Sequence, residues 1–287
     1  LIAREQPDKL IVGLSGGLDS VVLLHGLTHL SRSGEFALPY IEAVYVNHGL
    51  SANADDWQQF CAGLCNELDV TFTAMAVEVT PRARESLEAC ARDRRYEALC
   101  KHARAAKCII VTAHHQNDQL ETLLLQLKRG AGPKGLSGIP AFSQMHSVPV
   151  SRPLLPLSRT QILAYAKQNG LRWIEDESNC DESFDRNFLR HSVLPILLER
   201  WPSLGQTASR SASLCAEQQG LLDEVCDERL EGLCDKPGCI SVSGLNAASP
   251  AWQRALLRRW LEINKVAMPG NRQLNQIQQM LAARPDA

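Results

Sequence analysis

Between the apolar runs Leu10-Ile11-Val12-Gly13-Leu14 and Val21-Val22-Leu23-Leu24 stands Ser15-Gly16-Gly17-Leu18-Asp19-Ser20. An apolar run, paired glycines and a second apolar run read as buried strand, tight turn and helix start. Adjacent glycines permit positive φ and a close approach of the backbone to a ligand. The helix that follows aims its unpaired N–H groups and positive dipole end into the turn, which makes a nest for an anion. No Lys-Ser/Thr pair follows the glycines, so the turn is not a Walker loop. Asp19 stands inside it instead. Beside phosphates a bare carboxylate is repelled unless a cation lies between them, so Asp19 points to Mg2+. The plainer alternative is a strand–helix turn with Ser and Gly chosen for conformation alone; the two flanking serines and the internal Asp argue against it.

The alternation of strand and helix continues downstream. A helix over about Ser20 to Leu30 leads to a strand from Ile41 to Val46 that ends in Asn47-His48-Gly49-Leu50-Ser51. A helix over roughly Ala54 to Leu68, a strand around Val70 to Val77 and a helix over about Ser86 to Ala105 follow. Cys108 to Thr112 is the next buried strand, and it runs into the polar cluster Ala113 to Thr122. Open parallel sheets collect ligand-binding groups beyond the carboxyl ends of their strands. His48 and Gly49 therefore sit where a nucleotide base or ribose could lie, or else form a strand-end turn with a solvated histidine. His114, Asp118 and Glu121 share one face if their helix starts near His114, and the cluster reads as a reaction pocket with a Mg2+ ligand, or else as a purely structural cap of the helix. The spacing is not His-x-x-x-His, which speaks against a transition metal. Glu88, Arg92 and Arg95 fall on one helical face, either as an ion pair or with the arginines clamping phosphates.

Lys128 to Ile139 is glycine-rich and basic, suited to a lid or a phosphate-contacting flap. Val148 to Val150 reads as a short strand, and Thr160 to Asn169 as a helix stopped by Gly170. An acidic stretch follows, with six carboxylates and no base between Glu175 and Asp185, anchored by Trp173 and Ile174. Beyond a boundary near Trp201 to Gly205 the pattern is helical, with Leu214, Leu221, Val225 and Leu233 at helical spacing. Ser249-Pro250 marks a helix start. Trp252, Leu256 and Trp260 form that helix's core face, while Arg254, Arg258 and Arg259 lie elsewhere on it, where they could meet phosphates. A final helix runs from about Asn271 to Leu281. At 287 residues the chain exceeds the size at which a single core usually stops growing. The expected architecture is an α/β fold, a doubly wound and mostly parallel sheet over residues 1–205, followed by a smaller all-α domain over 206–287.

With 45% hydrophobic and 22% charged residues the composition is that of a globular protein. No signal peptide or run long enough to span a bilayer shows, so a cytoplasmic protein is expected. A net charge of −2 does not mark a nucleic-acid binder. Arg82 to Lys107 nevertheless holds eight Lys/Arg against four Asp/Glu, and Pro250 to Arg272 five against one. Such patches are either solvated helix faces or phosphate contacts. The ten cysteines include no Cys-x-x-Cys, so they are expected as small core residues.

Ser15 to Ser20 matches every fixed position of Ser-Gly-Gly-x-Asp-Ser, and so resembles the signature of the PP-loop ATP pyrophosphatases, which cleave ATP to AMP and pyrophosphate. A longer ordered set narrows this to the tRNA(Ile)-lysidine synthetase family. It comprises Val46 to Leu50, Arg92-x-x-Arg95-Tyr96, Ala113 to Thr122, Lys128-Arg129-Gly130 with Gly135-Leu136, Arg152-Pro153-Leu154-Leu155 and Glu175 to Arg190. The resemblance covers essentially the whole chain. It implies a PP-loop, adenine nucleotide hydrolase-like sheet and ATP with Mg2+ as cofactors. It also implies free L-lysine and isoleucine tRNA with a CAU anticodon as partners, and leaves a homodimer open.

The reaction implied is adenylation of the wobble cytidine's 2-carbonyl oxygen, then attack by the lysine ε-amine with AMP leaving. By motif match, Ser15, Gly16, Gly17, Leu18, Asp19 and Ser20 would hold the phosphates, with Asp19 on Mg2+, while His48 and Gly49 would line the adenosine pocket. Arg92 and Arg95, beside Tyr96, would contact ATP phosphates or the anticodon. His114, Asp118 and Glu121 would form the reaction pocket, with Asp118 managing the lysine amine. Arg129, Glu175, Asp176, Asn179, Arg186, Asn187 and Arg190 would shape the cytidine and lysine site.

Two departures stand out. The family reads Asp-Asp-Gln where this chain has Asn117-Asp118-Gln119, which puts a metal-ligand role for position 117 in doubt. Family members also continue past the position of Ala287 into a further carboxyl-terminal domain, which implies a cut-back chain or a shorter form with weaker tRNA discrimination. The rival readings are another PP-loop tRNA-modifying or amidating enzyme and a non-catalytic ATP-binding module.

Overall fold

A computed structural model describes residues 6–80, 87–104, 107–177, 181–234, 236 and 238–282. The chain divides into two compact units, Leu1–Ser213 and Leu214–Ala287. The first unit opens with β1 (Lys9–Gly13), α1 (Leu18–Ser33), β2 (Tyr40–Asn47), α2 (Ala54–Glu67), β3 (Thr71–Ala76), α3 (Leu87–Ala103) and β4 (Cys108–Val111). It continues with α4 (Gln116–Lys128), α5 (Pro133–Leu136), β5 (Phe142–Met145), β6 (Val148–Ser151) and α6 (Arg159–Gln168). The ends of the α3 expectation, Ser86 and Ala105, lie outside the described residues.

The strands form one sheet in the order β3-β2-β1-β4-β6-β5, parallel throughout except for β5 against β6. Successive strand residues alternate between two cores, as the pleat requires. Leu10, Val12, Ala43, Ile109 and Val111 pack against α1, α2 and α6 on one face. Ile11, Val44, Ile110 and Val150 pack against α3 on the other. Burial on both faces explains why these strands read as continuous apolar runs.

From β1 the chain winds outward through β2 and β3, then returns to lay β4 on the opposite side of β1. This reversal opens a crevice between the carboxyl ends of β1 and β4. The β5–β6 hairpin was half missed from sequence. Its two-residue turn uses His146 and Ser147, both at positive φ, where Gly or Asn would have announced it.

After α6 come α7 (Asp185–Phe188), a π-helical turn (Leu189–Val193) and α8 (Leu194–Arg200). The long α9 (Leu204–Glu231) begins in the first unit and ends in the second. The second unit completes itself with α10 (Val242–Asn246), α11 (Pro250–Ile263) and α12 (Asn271–Ala282) around Cys226, Leu230, Leu245, Leu256 and Leu274. Trp252, Trp260 and Leu233 pack on that core as expected.

Leu214, Leu221 and Val225 do not, being 53%, 58% and 38% exposed. The stripe that α9 buries runs through Cys226 and Leu230, one turn apart, because α10 to α12 pack there. Arg259 is held by Asp227 through two bonds of 2.7 and 2.6 Å, with Asp223 and Glu262 beside it. Three carboxylates around one guanidinium make a structural knot. The nine described cysteines are all free and mostly buried, and no helix among the described residues is long and apolar enough to cross a membrane.

Candidate active site

The phosphate-loop geometry follows from its residue types. Gly16 takes φ +83°, and a Cβ there would stand 2.6 Å from Ile174 Cδ1 and 3.2 Å from Cys61 Sγ. The conformation calls for glycine, and any Cβ would in addition make the Ile174 and Cys61 side chains give way. Gly17 begins α1 with no side-chain cap, so the helix's first N–H groups stay available. Ser20 braces the turn, accepting from Ser15 N–H at 3.2 Å and donating to the Gly17 carbonyl at 3.0 Å. Ile174 N–H donates to the Gly16 carbonyl at 2.9 Å, which anchors the acidic stretch beside the loop. Asp176 follows, half-buried, and lies close enough to His48 to act on its charge. Glu175 is exposed, and Asn179 lies outside the described residues.

The second polar cluster arrives from β4. Helix α4 begins at Gln116, two residues later than a start at His114 would place it, with His115 as its cap. His115 Nδ1 accepts from Asn117 N–H at 3.2 Å, and Asp118 accepts from His115 N–H at 2.9 Å. This reciprocal capping box turns His115, not His114, toward the phosphate loop. His115 Nε2 lies 3.5 Å from Asp19 and 3.6 Å from Asp118. Sequence reasoning missed His115; the signal was a polar residue three before Asp118 at a helix start. His114 instead pairs with Thr112 Oγ1 at 3.0 Å.

Asp118 also meets Arg190 at 3.3 Å. Glu121, fully buried, accepts from Arg186 Nε and Arg190 Nε at 2.9 Å each, and from Arg190 Nη2 at 3.1 Å. Both arginines are thus gathered from the segment after the acidic stretch, Arg190 on the π-helical turn, a distortion common at functional sites. One chain of charge runs from Asp19 through His115, Asp118 and Arg190 to Glu121 and Arg186. Arg159 reaches Asp19 from the first residue of α6 at 3.7 Å.

These neighbours tune the titrating groups. Burial drives the His114 imidazole down to about 3, and Arg152, Arg92 and Arg186 add to that push against the attraction of Asp118. Burial would raise the Asp118 carboxyl, but His115 and His114 outweigh it and hold it below the ordinary range. Burial opposes charge on His115, while Asp19 and Asp118 more than offset it and raise the imidazole. A second proton on His115 would have to take Nδ1, at the cost of the helix cap. His48 is lowered by burial and by Arg95.

Other expected residues lie at the edges of this arrangement. Arg95 stacks over Tyr96, which is buried and acts on the charge of Arg152. Asn187 Nδ2 donates to the Asp181 carbonyl and braces its own loop. Gly49, at φ +64°, turns back to donate its N–H to the Asn47 side-chain oxygen at 2.9 Å. Arg129 caps the far end of α4, roughly 16 Å along the axis from Asp118. The glycine-rich segment beyond it is tied down by Gln119, whose amide bonds the Ile139 carbonyl at 3.1 Å.

Asp19 Oδ1 is buried and has no hydrogen-bond partner, so the loop has a place for a cation. Among the described residues no three His, Cys, Asp or Glu side chains gather as a metal cage. An ion that takes most of its ligands from phosphates and water, as Mg2+ does, needs only one or two carboxylates.

Residues 1–197 match the PP-loop domain, and residues 240–287 match the TilS substrate binding domain. A tRNA(Ile)-lysidine synthase of Proteus mirabilis is 44% identical over 97% of this chain and 63% of its own length. One of Pectobacterium atrosepticum is 46% identical over 97% of this chain and 62% of its own. The chain thus spans less than two thirds of these curated relatives. The solved U34-tRNA thiolase NcsA of Methanococcus maripaludis, which carries a [4Fe-4S] cluster, shares the fold. Its TM-score is 0.60 at 18% identity, covering 73% of this chain and 72% of its own. With Ser-Gly-Gly-x-Asp-Ser built as an uncapped helix start at the sheet's switch point, and the domain match running from residue 1 to 197, the chain belongs to the PP-loop domain family.

Proposed function

We propose that the chain acts in the ATP-dependent ligation of free lysine to the 2-position of the wobble cytidine of isoleucine tRNA, forming lysidine and releasing AMP and pyrophosphate. The observation that carries this is the convergence of two groups at one crevice: a nest for phosphates at β1 and a carboxylate–imidazole–arginine cluster at β4. ATP phosphates bind Ser15 to Ser20 and the start of α1, with His48 and Gly49 beside the adenosine. Asp19, whose Oδ1 is unpartnered, would hold Mg2+, which would offset phosphate charge. The first unit performs the chemistry, and the helical residues beyond it contact the tRNA.

A ring carbonyl oxygen leaves poorly, and AMP leaves well, so adenylation of the cytidine comes first. The lysine ε-amine, with an ordinary pKa of about 10.4, arrives as ammonium. Asp118, a carboxylate that stays ionised well into acid, draws that ammonium in; its depressed pKa makes it a binder of the cation more than its base. Glu121 positions Arg186 and Arg190 so that they face the acceptor nucleotide and the leaving phosphate. Arg92 and Arg95 guide the triphosphate or the anticodon; Tyr96, Glu175, Asp176 and Asn187 shape the surrounding walls, and Arg129 meets the tRNA further out.

The test is incubation with ATP, lysine and isoleucine tRNA bearing a CAU anticodon. AMP release that depends on both lysine and tRNA, with a nucleoside mass increased by lysine less water, is the expected result. AMP release indifferent to lysine would remove the proposal and leave another PP-loop activity in its place.

A further inference from the structure

Three helix starts point at one spot. Helix α1 begins at the phosphate loop, α4 sends its cap His115 to within 3.5 Å of Asp19, and α6 sends Arg159 to within 3.7 Å of the same Oδ2. His115 is 1% exposed and its Nε2 has no hydrogen-bond partner, so a buried polar atom aims into the spot unsatisfied. Arg159 is in an unfavourable place for a cation, the first turn of a helix whose own partial charge there is positive. Neither it nor His115 closes to a hydrogen bond with Asp19, and the Arg159 side chain is 47% exposed. Such a wet, long ion pair stabilises the fold little.

What holds Arg159 there is Asn117. The Asn117 side-chain oxygen accepts from Arg159 N–H at 3.1 Å, filling an orphan donor of α6 from another helix. The junction is stitched once more by Gln116 N–H donating to the Leu157 carbonyl at 2.9 Å.

We propose that Arg159 is a further ligand of the ATP phosphates, and that Asn117 is the positioning residue that sets it over the loop. The ligand class is a nucleoside triphosphate, so this rests on the ATP reading above. An oxygen acceptor is all that position 117 must supply, which an Asp would supply as well; the Asn found here keeps that contact without any role as a metal ligand.

The test is isothermal titration of ATP and of adenosine into the whole chain at fixed Mg2+, wild type and variants. Arg159→Ala is expected to weaken ATP about 10-fold or more, the loss of a charge-assisted contact, and to leave adenosine unchanged. Arg159→Lys should fall between. Asn117→Ala should weaken ATP about 3-fold, and Asn117→Asp should restore wild-type affinity. A wild type that binds no ATP would sink the ATP reading itself. Wild-type binding with Arg159→Ala within twofold, or an equal loss for adenosine, overturns the Arg159 ligand alone. Asn117→Asp as weak as Asn117→Ala overturns the positioning role.

Discussion

Two buried carboxylates of the same sheet domain sit in ionic clusters of opposite character. Glu42, on β2 and 3% exposed, is met by Lys9 at 2.8 Å, Thr73 at 2.7 Å and His102 at 2.9 Å. Both its oxygens are engaged, and the cluster ties β1, β2, β3 and α3 together near the amino end of the strands. Glu121 is as well satisfied by Arg186 and Arg190, but its cluster continues past Asp118 to His115 and Asp19. There the pairing stops. Of the six buried side-chain atoms without a partner among the described residues, four belong to Asp19, His48, His115 and Arg152, all beyond the carboxyl ends of the strands. Buried polar groups are normally satisfied, so unpaired ones gathered at one edge mark where a ligand is to complete the network. A carboxylate cluster that closes on itself stabilises; one left open binds.

The sharpest way to break this contrast is Asp118→Asn. It keeps the acceptor that caps α4 but removes the charge, and lysidine formation should fall about 100-fold or more while ATP still binds. An unchanged rate would mean that the open cluster does no chemistry.

Next in size is the closed part of each cluster. Glu121→Gln strands two guanidiniums and should cost about 3–5 kcal/mol in urea denaturation. Glu42→Gln, with a partly exposed lysine as its main partner, should cost about 1–3 kcal/mol. Equal losses would erase the distinction in depth between them.

The two regions also separate by pH. His114 titrates near 3 in the folded state against an ordinary 6.5, so the folded chain resists its protonation. Its contribution is whole above pH 6.5 and is lost as pH falls from there toward 3. For Glu42, burial would raise the carboxyl, but Lys9, Thr73 and His102 hold it below its ordinary 4.5. Its contribution is whole above pH 4.5 and disappears only below that. Acid should therefore weaken the crevice first, and His114→Asn should flatten the urea midpoint between pH 6.5 and 4.5, a window in which Glu42 stays ionised in both states.

The smallest effect belongs to Lys128 and Asp185, a 2.7 Å pair with side chains 61% and 59% exposed. Asp185→Ala should shift stability by less than about 1 kcal/mol, a value that only a salt-sensitive network would exceed.

Residues close in sequence declared themselves. The strand–glycine–helix run at Ser15 to Ser20, the apolar strands, the Ser249-Pro250 helix start and the polar cluster at Ala113 to Thr122 are written in period, caps and turn chemistry, which are local. Local patterns also had their failures: a hairpin turn made from His146 and Ser147, and an apolar stripe on α9 that stays exposed. What no local pattern carries is which strand lies beside which. Placing β4 next to β1 is a matter of crossover and register, and it alone brings His115 to Asp19. The pairing of Glu121 with arginines 65 and 69 residues away likewise depends on the segment after β6 packing back on α4. The residue types of the site were legible in the chain; their meeting was decided by a strand order that loop and helix packing, summed over the whole sheet, had to select.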